Sequence, residues 1–291
     1  MKAYIETDME GVAGVLNFHE WTDRGAPYYE EGKELLTLEV NAAVDGLLEG
    51  GATEIHVSDG HGPGGISIKL LDPRVELSRV AGGLPWPGCL DGSYDFIVWV
   101  GQHAKACTPY GHLCHTQSLA YIDESVNGLS IGEFGEMGLC ASELGVRAIF
   151  GSGDLAFTRE AQALVPGIET VAIKQGLKPG TGENLDEEAY GRYVDSARHL
   201  HPERVRLLIR EGALRAIRRA QTEDFGIIPI RPPFRRVIEL RPATGRSRPT
   251  MAVMKHATSF IGVMNTWGEF RPIGKRAGTT ERKRRIRGQI R

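Results

Sequence analysis

Phe96-Ile97-Val98-Trp99-Val100 is an unbroken apolar run. A strand with one wet face alternates apolar and polar side chains, whereas a strand with no polar position has to be covered on both faces. That requirement places this segment inside a sheet flanked by helices, and the neighbouring sequence supplies them. Apolar residues recur at helical spacing from Glu30 to Leu48 (Leu36, Val40, Ala43, Val44, Leu47 among them), and Gly50-Gly51 follows as a stop. Thr53 to Val57 reads as a short strand, Glu133 to Leu144 as a helix entered through Gly132, and Arg147 to Phe150 as another strand. Thr158 to Leu164 and Glu169 to Ile173 repeat the helix–strand pattern. The alternation predicts an α/β fold: a mainly parallel sheet flanked by helices, with a smaller C-terminal α+β part.

The pattern changes after Lys174. Gly176 to Asn184 carries glycines and a proline and reads as a linker or lid. Asp186 to Arg198 and Pro202 to Ala220 read as helices, and Phe234 to Leu240 as a strand. The expected division is a metal-binding catalytic α/β domain over 1–180 and a smaller α+β domain with a basic tail over 181–291. The tail from Gly274 is rich in Lys and Arg, and reads as a solvated end rather than a nucleic-acid arm.

Composition narrows the function classes. With 291 residues and a net charge of −2, there is room for a large core and no global attraction to nucleic acid or anionic membrane. No apolar run approaches the ~20 residues of a membrane span, and the first residues are strand-like with no signal core. Cys89, Cys107, Cys114 and Cys140 make no Cys-x-x-Cys pair, which suits a reducing cytoplasm.

Chemistry gathers where the strands end. The opening strand runs into Asp8-Met9-Glu10, and on extended backbone residues two apart point the same way. Two adjacent carboxylates stay ionised together when something positive lies between them. The strand at Thr53 to Val57 leads into Ser58-Asp59-Gly60-His61, and the apolar run at 96–100 leads into Gly101-Gln102-His103. In a parallel sheet these ends share one edge, where ligands bind. Gly111-His112-Leu113-Cys114-His115 and Ile131-Gly132-Glu133 add further candidates. Mixed carboxylates and imidazoles suit zinc, with manganese or iron as alternatives. Their number exceeds one tetrahedral site and suggests two ions about 3.5–4 Å apart.

Rival chemistries find less support. There is no Gly-x-Ser-x-Gly elbow, no phosphate-binding Gly-x-x-x-x-Gly-Lys-Ser/Thr loop, and no dinucleotide glycine spacing. Cys114 beside His115 could be a thiol nucleophile, but sequence neighbours rarely form such a dyad. The remaining histidines (His19, His56, His199, His201, His256) read as packing or surface residues. Asp154 and Glu136 read as a cap and a helix face, with contact to a substrate cation as the alternative.

Asp8-Met9-Glu10-Gly11, Ser58-Asp59-Gly60-His61, Gly101-Gln102-His103-Ala104, His115-Thr116 and Ile131-Gly132-Glu133-Phe134-Gly135 together resemble the zinc-dependent D-aminopeptidases of the DppA type. The resemblance spans roughly residues 1 to 175. It implies two Zn2+ per subunit, with Asp8 bridging, Glu10 and His103 on one ion, and His61 and Glu133 on the other. It also implies His115 as nucleophile or acid/base group, a short peptide substrate containing D-amino acids, and a homo-oligomer, a decamer of stacked rings. Two other readings stay open: a metal-dependent hydrolase of another amide or a phosphoester, and a non-catalytic metal-stabilised assembly protein.

Overall fold

The apolar run that opens the reading of the sequence becomes the central strand, with every residue from Phe96 to Gln102 buried. The computed structural model describes residues 1–79 and 84–273; the basic tail from Gly274 lies outside the described residues. In chain order the elements are β1 (Lys2–Thr7), α1 (Tyr29–Glu49), β2 (Glu54–Asp59), β3 (Glu76–Ser78), β4 (Phe96–Gln102), β5 (Tyr121–Val126), β6 (Leu129–Ile131), α2 (Glu133–Leu144), β7 (Arg147–Asp154) and α3 (Leu155–Leu164). Then follow β8 (Glu169–Gly176), α4 (Glu187–Tyr193), β9 (Ala197–His199), α5 (Pro202–Ala220), β10 (Phe234–Leu240), β11 (Thr250–His256), α6 (Phe260–Met264) and β12 (Arg271–Pro272).

Among the described residues, the first sheet has the order β3-β2-β1-β4-β7-β8-β9. All its pairings are parallel except β8 with β9. The chain winds outward from β1 through β2 and β3, then returns to the other side of β1 with β4. The order therefore reverses between β1 and β4, and the crevice beyond their carboxyl ends is where such sheets bind ligands. The second sheet, β12-β11-β10-β5-β6, is antiparallel. The fold is thus the expected mixed α/β one. Each sheet draws on both sides of residue 180: β5 and β6 join β10 to β12, while β9 and α5 complete the first layer.

The two faces of the first sheet carry separate cores. Ala3 and Ile5 of β1 pack with Leu36, Val40 and Val44 of α1 and Ile209, Ala213 and Ile217 of α5. On the opposite face, Tyr4 and Trp99 pack with Phe134 of α2 and Phe157 of α3, and that core continues under the second sheet through Ile238 and Met254. Each fully buried large side chain contributes about 1.5–3 kcal/mol. The helix expected over Asp186 to Arg198 is shorter than its pattern. Asp186 caps α4 through the Ala189 amide, but the chain leaves the helix after Tyr193 and 197–199 pairs with the edge of β8. Backbone pairing along that edge outweighs local helical propensity there.

Candidate metal centre

The loops after β1 and β4 are nested. The Asp8 amide donates to the Val100 carbonyl at 3.0 Å and the Gly11 amide to the Gly101 carbonyl at 2.7 Å. A Cβ at Gly11 would overlap the Gly101 and Gln102 carbonyls, and one at Gly101, where φ is +77°, would overlap the Asp8 carbonyl. Two glycines are needed because two backbones touch. β1 itself ends at Thr7, so Asp8 and Glu10 converge from a turn rather than from the extended strand that the sequence suggested.

Three imidazoles meet these carboxylates, and each is held in the same way. His61 Nε2 lies 2.9 Å from the Thr22 carbonyl, His103 Nδ1 2.9 Å from that of Ala104, and His115 Nδ1 2.9 Å from that of Leu113. A carbonyl only accepts, so each of these nitrogens carries the proton and the other ring nitrogen offers the lone pair. Contacts of this kind fix the tautomer and orientation of metal-ligating histidines. The free nitrogens all face carboxylates. His61 Nδ1 is 3.2 Å from both Asp8 Oδ1 and Glu10 Oε2, and His103 Nε2 is 3.0 Å from Asp8 Oδ2 and 3.6 Å from Glu133 Oε1. His115 Nε2 is 3.7 Å from Glu133 Oε1, with its ring stacked on His103 at 4.0 Å.

The donor set fits divalent cations. Glu10 Oε2 and His103 Nε2 are buried and lack a hydrogen-bond partner despite these short separations, because the groups converge on a point instead of aligning donor to acceptor. Asp8, Glu10 and His103 bring ligand atoms within 4.8 Å of one another, as do His103, His115 and Glu133. Asp8, Glu10, His61, His103, His115 and Glu133 thus come together. Within the cluster, His61 faces Asp8 and Glu10, and Glu133 faces His103 and His115.

The electrostatics call for positive charge. Burial alone would raise the Asp8 carboxyl, but the His103 and His61 imidazoles that face it hold it well below its ordinary range. Burial opposes charge on both imidazoles, yet Glu10 and Asp8 drive His61, and Glu133 and Asp8 drive His103, well above the ordinary value. Glu133 opens α2, where the helix dipole favours an anion, and accepts from the Gln117 amide at 2.7 Å. Burial works against its charge, but His103 outweighs it and brings the carboxyl down to about 2. Burial, reinforced by Asp8, Glu133 and Asp59, pushes the nearby Glu6 carboxyl up to about 8.

Other groups position these ligands. Asp59 accepts from the Gly65 and Ile66 amides and ties down the loop that carries His61. Lys174, buried at the end of β8, donates from Nζ to the carbonyls of Glu10 (2.5 Å), Val12 (3.0 Å) and Val15 (3.4 Å). Glu39 Oε1 accepts from the Ala13 amide at 3.0 Å and grips the same loop from α1.

Several sequence candidates fall elsewhere. His112 points away, its Nε2 facing the Leu16 carbonyl, and burial pushes it down to about 2. Cys114 is buried beside Tyr190, and burial raises its thiol to about 12, far from a nucleophile's range. Asp154 caps α3 through the Phe157 amide and also accepts from the His112 amide. Glu136 is buried against Arg236 and Gln117. Neither can meet a substrate ammonium. The cleft over the cluster, bounded by Glu10, Phe18, His61, His115 and Glu133, measures about 340 Å³, the scale of a small ligand or short peptide.

Comparison with known proteins identifies a family and a fold. The sequence model of peptidase family M55, described as D-aminopeptidase, matches residues 1–258. A D-aminopeptidase of Bacillus subtilis (strain 168) is 28% identical over 203 residues, which cover 67% of this chain and 71% of that protein. The solved structure of the Zn-dependent D-aminopeptidase DppA from Bacillus subtilis, described as a self-compartmentalizing protease, has the same fold. It aligns with a TM-score of 0.75 at 21% identity, covering 100% of this chain and 98% of that one.

Proposed function

The chain belongs to the D-aminopeptidase family M55, and from that premise we propose that it is a zinc-dependent aminopeptidase with two ions per subunit, acting on short peptides or amides whose free amino end carries a D-residue. Asp8 would be shared between the ions, with Glu10, His61, His103 and Glu133 completing the ligands; Mn2+ or Fe2+ suit the same donors. The observation that carries this reading is the common treatment of the imidazoles: one nitrogen of each is fixed on a backbone carbonyl and the other turned to the carboxylates. The DppA structure, described as Zn-dependent, supports the choice of metal.

When bound, the ions supply an acidified water and polarise the scissile carbonyl. The chain's own residues supply the rest. His115 lies at the mouth of the cluster, less buried than His103, with its Nδ1 proton fixed on Leu113 and Nε2 free. An imidazole there can take a proton at Nε2 and release it to the leaving amine. The stack on His103 and the edge contact with Phe18 hold the ring in place for that transfer. Self-association into a homo-oligomer, with the decamer as its expected form, is part of the proposal and is supported by the self-compartmentalizing description of DppA. Sedimentation velocity reads it.

The test is metal content per chain on freshly purified protein, followed by D-Ala and L-Ala p-nitroanilides beside p-nitrophenyl phosphate. Two zinc ions and faster release from the D-anilide are expected. Phosphate release without anilide cleavage would overturn the peptidase reading.

A further inference from the structure

Glu6 is an acidic residue of the cleft that the metal cluster does not use. It sits on β1, two residues before Asp8, and lines the side of the crevice shared by Tyr4, Trp86 and Met137. Its Oε2 atom is buried and has no hydrogen-bond partner. A Cβ at Gly60 would overlap the Glu6 carboxylate, so the acid is pressed onto the loop that presents His61. The other carboxylates lining this cleft are engaged. Asp59 is held by the Gly65 and Ile66 amides, Glu133 by the Gln117 amide and the imidazoles, and Asp8 by His61 and His103.

We propose that Glu6 accepts the free N-terminal ammonium of the substrate and thereby sets the requirement for an unblocked amino end. This rests on the aminopeptidase reading above. The spacing agrees with the chemistry. Two residues of chain separate Glu6 from Asp8, a reach of at most about 7 Å. In a peptide the amino nitrogen lies about 2.5 Å from its own carbonyl carbon, and a charge-assisted hydrogen bond adds about 2.8 Å. A carbonyl held against the ligands at Asp8 thus puts the ammonium within side-chain reach of Glu6. Trp86 and Met137 then form the wall beside the first side chain. With Asp154 and Glu136 sealed by internal partners, Glu6 is, among the described residues lining this side of the cleft, the acid with an unpartnered oxygen.

The experiment compares D-alanine hydroxamate with N-acetyl-D-alanine hydroxamate by calorimetry on the zinc-loaded full chain. Both probes ligate zinc through the hydroxamate, but only the first carries an ammonium. The wild-type protein should prefer it, and Glu6→Gln should cut that preference roughly 10–100-fold, the worth of a hydrogen bond to a charged group, with zinc content held. Should Glu6→Gln fail to fold, Glu6→Asp is read the same way: a reduced preference supports the assignment and an unaltered one overturns it. An unaltered preference in Glu6→Gln would mean that the metal holds the amine, and loss of zinc would mean that Glu6 serves the cations; either overturns the assignment. Absence of anilide cleavage with the preference lost in Glu6→Gln refutes the aminopeptidase reading alone, while cleavage with an unaltered preference refutes the ammonium subsite alone.

Discussion

Lys174→Met removes an ammonium that touches three carbonyls of the Asp8–Glu10 loop, and its consequences divide between stability and zinc binding. Two effects oppose each other in stability. Burial brings Lys174 down to about 8 even though Asp154, Glu39 and Glu10 attract its charge. A depression of that size corresponds to roughly 3 kcal/mol by which the fold disfavours the charged form. Methionine of similar shape relieves this term but leaves the carbonyls of Glu10, Val12 and Val15 without their donor, at about 1–3 kcal/mol for each group kept from water. Glu39 and Asp154 avoid part of the penalty by staying protonated, since burial raises both carboxyls and Glu39 stands at about 8. Over three carbonyls the loss is about 3–9 kcal/mol against roughly 3 kcal/mol relieved, so urea unfolding should show a net destabilisation of about 0–6 kcal/mol. Zinc affinity has no such compensation. The loop loses its clamp, and mutation of such supporting partners typically costs about 10–100-fold in metal affinity. Chelator competition measures this directly. A variant that lost stability but retained wild-type zinc affinity would refute the reasoning, because Lys174 would then be a stability residue and not a positioning one.

Other substitutions probe the remaining parts. His115→Ala should lower kcat by about a hundredfold or more while both zinc ions remain, as read by steady-state anilide cleavage and metal analysis; an unaltered rate would remove His115 from proton transfer. Glu39 carries a pH signature: burial raises its folded carboxyl to about 8, so the stability it contributes is complete below about pH 4.5 and is lost as pH rises through 8. Urea midpoints at pH 5 and pH 8.5 should therefore diverge in the wild-type protein by on the order of 4 kcal/mol more than in Glu39→Gln, and equal divergence would show that Glu39 is not buried as described. Gly11→Ala places a Cβ against the Gly101 and Gln102 carbonyls, with no flexible side chain to yield. It should cost about 3 kcal/mol and weaken zinc binding, and a neutral effect in thermal unfolding would contradict the nesting of the two loops.

The sequence revealed most about groups whose partners are set by topology alone. A doubly covered strand at 96–100 forces a layered fold, and parallel strands force Asp8, His61 and His103 onto one edge, so these were readable from local pattern. Glu133 was readable because it opens a helix. Residues that act across the sheet were not. Lys174 ends a strand like the others, but nothing in its neighbourhood says that its target is a loop some 160 positions earlier. Glu39 did leave a trace, since it falls on the buried stripe of α1 between Leu36 and Val40, where an acid has no reason to be unless something polar faces it. Strands β5 and β11 also escaped, as did the short strands β3, β6, β9 and β12, which are two or three residues long and defined by the strand beside them.

The same distinction separates Glu6 from its neighbours. Asp8 and Glu10 announce themselves by adjacency, and imidazoles by their position at strand ends. Glu6, by contrast, reads in sequence as an ordinary polar position of a strand between Ile5 and Thr7. In the fold, Tyr4 and Glu6 of β1 and Asp8 just beyond its end line one cleft, so an apolar wall, an acid with an unpartnered oxygen and a proposed metal ligand follow in succession. A peptide lying along that cleft with its carbonyl at Asp8 has its amino group directed back toward Glu6, and β1 with the turn after it then sets both the attack point and the end of the substrate. On this account a substrate extended by one residue at its amino end places an amide, not an ammonium, at Glu6 and leaves the acid without a cation. The protein should therefore release single residues and not dipeptides, and product analysis of a D-Ala tetrapeptide would contradict the arrangement by finding dipeptide as the first product.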